Sequence, residues 1–415
     1  MLLSRRTFLG GTAVAAGLTA MPFGRGRARA ATKPIRIGII TDMSGIYRDV
    51  SGPVTVACTE QAVAEFTAAN PGIAVEVLVA DHQNKPDIGL TKIRQWFDEE
   101  GVDAISNVGN SAIVLGAREL LAAKDKVALV TTAGSSVITG EQCSERWVHW
   151  SWDSWCLAHS TTTASVRTGG DRWFFITADY AFGHASQRDA TKFIEAAGGK
   201  VVGSVAYPYG STADFSSFLL QAQASGANTL GFANSGAELI NCLKQAQEFG
   251  VSQGGMRMAA LVGYITDVQG MGLEVAQGLQ QTETFYWDLN DRTRAFMKRV
   301  APRLGRGVFP NMSQAGDYAV VLHYLKAVKA VGVEKAKASG LAVVEAMKAM
   351  PTDDDAFGQG HIRADGRKIH PAYLFRVKAP AASTGPGDVY ELVQTIPAEE
   401  AFRPLSEGAC PFVKA

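Results

Sequence analysis

The sequence predicts an α/β protein of two doubly wound, Rossmann-like lobes. Three observations lead there. Short β-branched-rich runs alternate with helical patterns of about 12 residues, as in parallel sheets covered by helices. The alternation halts at a tryptophan-rich segment, residues 146–156, and then resumes. Residues 75–105 and 201–230 also read as copies of one unit: strand, polar loop, a helix opened by Asp87 or Asp214, then Gly101 or Gly226 and a second strand.

The elements follow in order. KPIRIGIIT, residues 33–41, is the first strand and runs into a polar, glycine-containing loop, 42–53. A helix is predicted over 54–68, a strand over 74–80, a helix over 87–100, a strand over 104–108, a helix over 112–124 and a strand over 127–131. Beyond the tryptophans come strand 173–176, helix 182–197, strand 200–207, helix 214–225, strand 229–233, helix 237–249 and strand 258–261. The pattern then changes. Residues 282–287 are strand-like, 290–304, 314–331 and 333–350 are helical, and 360–376 and 388–396 read as strands joined by turns. These last pieces complete both lobes, so the chain must cross between them more than once.

Composition narrows the function. The 415 residues are 47% hydrophobic and 19% charged, enough for a large core and unlike a mostly disordered chain. Lys+Arg and Asp+Glu are both 40, so no basic excess marks a nucleic-acid binder. After residue 30 no apolar run approaches the ~20 residues that span a bilayer. Residues 1–30 read as an export signal: Arg5-Arg6, a mild Gly/Ala-rich stretch over 10–23, and Ala28-Arg29-Ala30 as the cleavage pattern. The arginine pair and weak hydrophobicity match the twin-arginine type. Five of the 40 basic residues and no acidic ones lie there, leaving a mature chain of net charge −5.

Catalytic signatures do not appear. The sequence has no P-loop, GxGxxG, GxSxG, HExxH or Cys-x-x-Cys, and its seven histidines lack metal-ligand spacing. Neither enzymatic activity nor a cofactor is expected, and Asp81-His82 reads as a solvated turn. Of five cysteines, Cys58 and Cys242 fall on apolar helix faces and Cys156 begins a helix beside Trp155. Cys143 and Cys410 lie in polar, loop-like surroundings, and an exported protein permits oxidation. A Cys143–Cys410 disulfide is the first choice, the alternative being five free thiols.

Three segments carry a resemblance: IRIGIITDMSG (35–45), FFITADYAFG (174–183) and GHIRADGR (360–367). In their order and spacing the chain resembles the type I periplasmic solute-binding proteins of ABC importers, in the leucine/isoleucine/valine-binding family. The FYWDLN segment (285–290) and the Cys-Pro at 410–411 are similar to a branch that includes binders of aromatic acids. The resemblance implies two lobes joined by a three-crossing hinge, a ligand cleft between them, closure on the ligand, and docking on a membrane permease. Residues 33–152 with 286–355 are assigned to lobe 1, and 153–285 with 356–415 to lobe 2.

Doubly wound sheets bind ligands beyond the carboxyl ends of their strands, where helix N-termini favour an anion. Four loops qualify. In the first, Ser44 and Gly45 bring backbone to the ligand and Tyr47 lids it. In the second, Asn110 precedes Ser111, which stands where an N-cap belongs and offers its hydroxyl to a carboxylate. The third holds Gly134, Ser135 and Ser136, where the resemblance places a carboxylate-binding Ser/Thr. In the fourth, Tyr180 and Phe182 press from the other side, though Phe182 serves equally well as core.

Branched-chain amino-acid binders of the resembled family carry an acid for the ligand ammonium. Here Asn234 and Ser235 stand in that loop, with Glu238 a turn into the helix. An unpaired buried ammonium is costly, so a ligand lacking one is favoured. Tyr264 and Phe285 complete a set of aromatics able to clamp a flat ring. Trp147, Trp150, Trp152 and Trp155 read as hinge packing or as an aromatic wall, with Trp150 and Trp152 on one side of an extended segment. The expected function is importer substrate capture: a small carboxylate as ligand, an ABC permease as partner, and a monomer in the periplasm. A ligand sensor of the same fold is the alternative.

Overall fold

The computed structural model describes residues 33–413, so the export-signal reading on residues 1–30 lies outside the described residues. The first sheet grows from β1 (Ile35–Thr41), β2 (Val75–Asp81), β3 (Ala104–Asn107), β4 (Val127–Val130) and β5 (Trp147–His149). Its order is β2-β1-β3-β4-β5, and every pairing is parallel. β3 and β4 are buried at every position, which explains their uninterrupted apolar character: both faces are covered by helices. The covering helices are α1 (Gly52–Ala69), α2 (Pro86–Gln95) and α3 (Ser111–Lys124). α2 is shorter than the predicted 87–100, because a wider π-type turn over Trp96–Glu100 ends it at left-handed Gly101.

The chain crosses to the second sheet through α4 (Ser154–Arg167), a helix whose extent the tryptophan cluster hid from the sequence reading. The second sheet comprises β6 (Arg172–Ala178), β7 (Lys200–Tyr207), β8 (Thr229–Ala233) and β9 (Arg257–Ala260), ordered β7-β6-β8-β9 and parallel throughout. Between its strands run α5 (Ala181–Ala196), α6 (Ser216–Ala224) and α7 (Gly236–Glu248), followed by the short α8 (Ile265–Met271) and α9 (Leu273–Ala276). The two repeated units of the sequence, β2-α2-β3 and β7-α6-β8, are thus the second crossovers of two like-wound sheets.

The remainder is shared between the lobes. β10 (Gln280–Glu283) returns the chain to α10 (Asp291–Val300) and α11 (Met312–Val331), and α11 is buried along almost its whole length against the first sheet. α12 (Val333–Ala338) and α13 (Gly340–Ala349) follow, then β11 (Thr352–Asp354), β12 (Gly358–Ile362) and β13 (Lys368–Ile369) as a small antiparallel sheet. Residues 356–369 were expected in lobe 2 but sit on lobe 1. Arg367 bridges to His149 of β5, and the His149 N–H donates to the Gly366 carbonyl at 2.9 Å. The crossing falls instead at 370–371, before β14 (Ala372–Val377), which pairs antiparallel with β10 and with β15 (Tyr390–Ile396).

Arg367 fixes the hinge. It is fully buried, donates to the carbonyls of Trp150 and Trp152, and stands 3.5 Å from Asp153. Beside it, buried Lys368 lies 4.7 Å from the ring centres of both Trp150 and Phe357, and burial lowers its pKa to about 8. Cys143 and Cys410 form a disulfide across 267 positions of sequence, while Cys58, Cys156 and Cys242 are buried thiols. Among the described residues no helix is long and apolar enough to cross a membrane, and no group of three metal-ligating side chains gathers.

Candidate ligand cleft between the lobes

Loops leaving the carboxyl ends of β1, β3, β4, β6, β8 and β9 converge on a narrow, nearly filled space between the two sheets. A larger groove lined by Thr161, Arg257 and Gln280 receives none of these loops. From the first lobe, buried Asp42 accepts the N–H groups of Gly45 at 2.6 Å and Tyr47 at 2.9 Å, curling the chain so that Tyr47 covers the cavity. α3 points its N-terminus at the same space. Asn110 is its cap, accepting the Ala112 N–H at 2.8 Å, and Ser111 occupies the first helical position.

The Ser111 hydroxyl accepts the Ser135 N–H at 3.3 Å, so the loop after β4 is docked onto the start of α3. Glycine is required in that loop: a Cβ at Gly134 would lie 2.0 Å from the Trp152 ring packed against it. Trp152 donates its indole N–H to the Ser313 hydroxyl at 2.9 Å and meets Phe182 and Tyr264 edge-on, at 5.8 and 6.0 Å between ring centres.

The second lobe supplies Tyr180, Phe182, Ser235 and Tyr264. The Tyr180 phenol meets that of Tyr47 at 2.5 Å, and its ring stacks on Tyr209 at 3.8 Å. Tyr209 in turn accepts hydrogen bonds from Asn84 and Asn110 of the first lobe. Gly236, at φ +62°, opens α7 against the first lobe. A Cβ there would lie 2.8 Å from the Ile46 carbonyl oxygen and 2.9 Å from the Tyr47 ring, and the Ala237 N–H donates to Ile46 at 3.2 Å. The two lobes therefore meet directly at the mouth of the cavity.

Among the described residues no formally charged side chain lines this space. Burial raises the phenol pKa values of Tyr47, Tyr180 and Tyr264 well above the ordinary range, so all three stay neutral. Glu238 does not line the cavity: its carboxylate accepts the Tyr207 hydroxyl at 2.8 Å and the Gly210 N–H at 2.9 Å, and burial raises its pKa. The buried hydroxyls of Ser135 and Ser235 have no hydrogen-bond partner among the described residues. Aromatic walls, two helix N-termini and free hydroxyls suit a flat apolar body with an anionic end.

The sequence profile of the periplasmic binding protein family matches residues 34–385. The chain belongs to that family. Its structure is similar to a periplasmic binding protein from Burkholderia mallei, with 42% identity over 92% of this chain and 99% of that one and a TM-score of 0.86. It is also similar to a branched-chain amino acid ABC transporter periplasmic ligand-binding protein from Burkholderia xenovorans, with 37% identity over 91% and 99% of the chains and a TM-score of 0.79. A third likeness, in fold alone, is to an ABC transporter solute-binding protein from Rhodopseudomonas palustris in complex with 4-hydroxybenzoate, 19% identical over 89% and 99% of the chains, with a TM-score of 0.78. No curated protein sequence matches this chain.

Of the residues singled out in this binding protein's sequence, Tyr47, Ser111, Gly134, Tyr180, Phe182 and Tyr264 come together on the cavity wall, and Ser135 stands behind them. The others do not. Ser44 donates to Asp81 at 2.6 Å, and Gly45 packs on the Asp42 carboxylate instead of a ligand. Asn110, not Ser111, is the helix cap. Ser136 donates to Asp189 at 2.6 Å. Asn234 is fully buried off the wall, and Phe285 packs against Phe296 and Phe357 in the core. Trp150 and Trp152 part company because β5 ends at His149, so the two-residue alternation of a strand no longer holds. His82 is no solvated turn: it is fully buried, its Nδ1 accepts the Asn84 N–H at 2.9 Å, and burial lowers its pKa to about 4. Val50 and Thr132 on the wall were missed, as was Tyr209 behind it. All three lie in loops that leave strand ends, the signal that found their neighbours.

Proposed function

We propose that this binding protein captures a small aromatic carboxylate between its lobes and delivers it to the permease of an ABC importer. The observation that carries the reading is the wall of the cleft: five aromatic side chains, Tyr47, Trp152, Tyr180, Phe182 and Tyr264, and no carboxylate among the described residues. The acid end of the ligand belongs at Ser111 and the loop of Gly134 and Ser135, the ring between Trp152, Phe182 and the tyrosines. Burying a ring of roughly 150 Å² is worth about 4 kcal/mol at ~25 cal/mol/Å². Hydrogen bonds to a charged acceptor add about 1.5–3 kcal/mol each, enough together for micromolar affinity near 8 kcal/mol. A solved protein of this fold holds 4-hydroxybenzoate, a ligand of this class.

The 37% identical Burkholderia xenovorans protein favours a second reading, a branched-chain amino acid. That ligand brings an ammonium, and its natural partner, Glu238, is held by Tyr207 and Gly210. The protein acts as a monomer in the periplasm, exported through the twin-arginine route by Arg5-Arg6, and its two lobes close on the ligand. A thermal-shift panel of benzoates, cinnamates and amino acids tests the reading. At 100 times its dissociation constant a true ligand adds about 2.7 kcal/mol of apparent stability. A response to leucine or valine alone would replace the aromatic reading by the second one.

A further inference from the structure

We propose that Asp189 is a positioning residue for the ligand carboxylate: from the second lobe it sets the first-lobe loop that holds the acid end. This rests on the reading above. Phe182, Ser186 and Asp189 are buried on one face of α5, at the spacing of successive helical turns, so the helix that brings Phe182 to the cavity brings Asp189 to the loop after β4. Asp189 is 6% exposed, and one of its oxygens accepts two hydroxyls, Ser136 and Ser154, each at 2.6 Å.

The hydrogen bonds around it leave little choice of orientation. The Ser154 hydroxyl donates to Asp189 and accepts the Ser136 N–H at 3.1 Å, while the Ser154 N–H donates to the Gly134 carbonyl at 2.7 Å. The Ser136 hydroxyl donates to Asp189 and accepts from Arg188 at 2.9 Å. Arg403 donates to the Ser136 carbonyl at 3.0 Å. Both residues flanking Ser135 are therefore clamped, and the Ser135 N–H is aimed at Ser111. With the carbonyl of Gly134 and the N–H of Ser136 engaged on one side, the Ser135 hydroxyl keeps no hydrogen-bond partner among the described residues. A carboxylate at position 189 does this while its other oxygen accepts from the Arg188 guanidinium at 3.0 and 3.2 Å; an amide whose one acceptor oxygen took both serines would turn its N–H groups toward that guanidinium, donor against donor.

The test compares 4-hydroxybenzoate with 4-hydroxybenzamide by calorimetry in the wild type, Asp189→Asn and Ser136→Ala. Asp189→Asn is expected to weaken 4-hydroxybenzoate by about 10- to 100-fold, the range of a lost charged hydrogen bond, and the amide far less, so that discrimination between them collapses. Ser136→Ala, which leaves Asp189 paired with Ser154 and Arg188, is expected to do the same to a smaller degree and to be non-additive with Asp189→Asn. Should Asp189→Asn fail to fold, Ser136→Ala alone decides. A lower melting temperature with discrimination unchanged would make Asp189 merely structural and overturn the proposal while sparing the aromatic reading. A wild type that binds neither compound would remove the reading and the proposal with it.

Discussion

Replacing Gly236 with alanine places one methyl group where the lobes touch. Its effect divides into two parts that act on different states. Gly236 sits at φ +62°, and a side chain there costs roughly 1–2 kcal/mol whether or not ligand is present. The new Cβ also falls 2.8 Å from the Ile46 carbonyl and 2.9 Å from the Tyr47 ring, contacts between the second lobe and the first. Overpacking of this kind costs about 1–3 kcal/mol, or roughly 5- to 150-fold in affinity. The strain part lowers the unliganded melting temperature by a few degrees at about 2–4 °C per kcal/mol. Calorimetric titration with 4-hydroxybenzoate and thermal unfolding without it separate the two. A Gly236→Ala protein that melts lower yet binds as tightly as the wild type would refute the claim that ligand is held by lobes meeting at Ile46 and Tyr47.

Other expectations are shorter. Ser111→Ala removes the acceptor of the Ser135 N–H as well as a hydroxyl on the cavity wall, and binding of a benzoate is expected to weaken by about 10-fold or more, read by calorimetry. Burial pushes the carboxyl of Glu283 up to about 8, above its unfolded value near 4.5, so folding takes up a proton between those pH values and stability falls as pH rises through them. Glu283→Gln lacks that loss; urea unfolding at pH 6.5 and pH 8 should show it gaining about 1.5 kcal/mol on the wild type, at up to ~1.36 kcal/mol per pH unit, and a constant difference would contradict the assignment. Cys143→Ser opens the Cys143–Cys410 bond and is expected to cost about 2–5 kcal/mol of stability in denaturant unfolding.

Much of the fold was legible because the core strands state their environment: β3 and β4 are short apolar runs buried on both faces, and the helices between them keep a regular length. The loops of the cleft were legible from the rule that ligands gather beyond strand ends. Individual side chains in those loops were harder to assign, because polar groups at strand ends also satisfy one another. Ser44 found Asp81, Ser136 found Asp189, and Asn110 found the start of α3, and nothing local in the sequence separates these from Ser111. Tyr209 escaped because its partners, Tyr180, Asn84 and Asn110, are each 29 or more positions away along the chain and come from both lobes. The third crossing was misplaced because residues 356–369 are held by long-range bonds, such as Gly366 to His149, that leave no periodic trace.

The central claim is that an uncharged aromatic cleft selects an aromatic carboxylate over an α-amino acid. Calorimetric titration of the mature protein with 4-hydroxybenzoate, benzoate and leucine at one pH tests it most directly. The aromatic acids are expected to bind near micromolar dissociation constants, about 8 kcal/mol, with a negative heat-capacity change from ring burial, and leucine to give no saturable heat. Tight leucine binding with no response to either benzoate would contradict the claim and return the ligand ammonium to an acid such as Glu238, released from Tyr207.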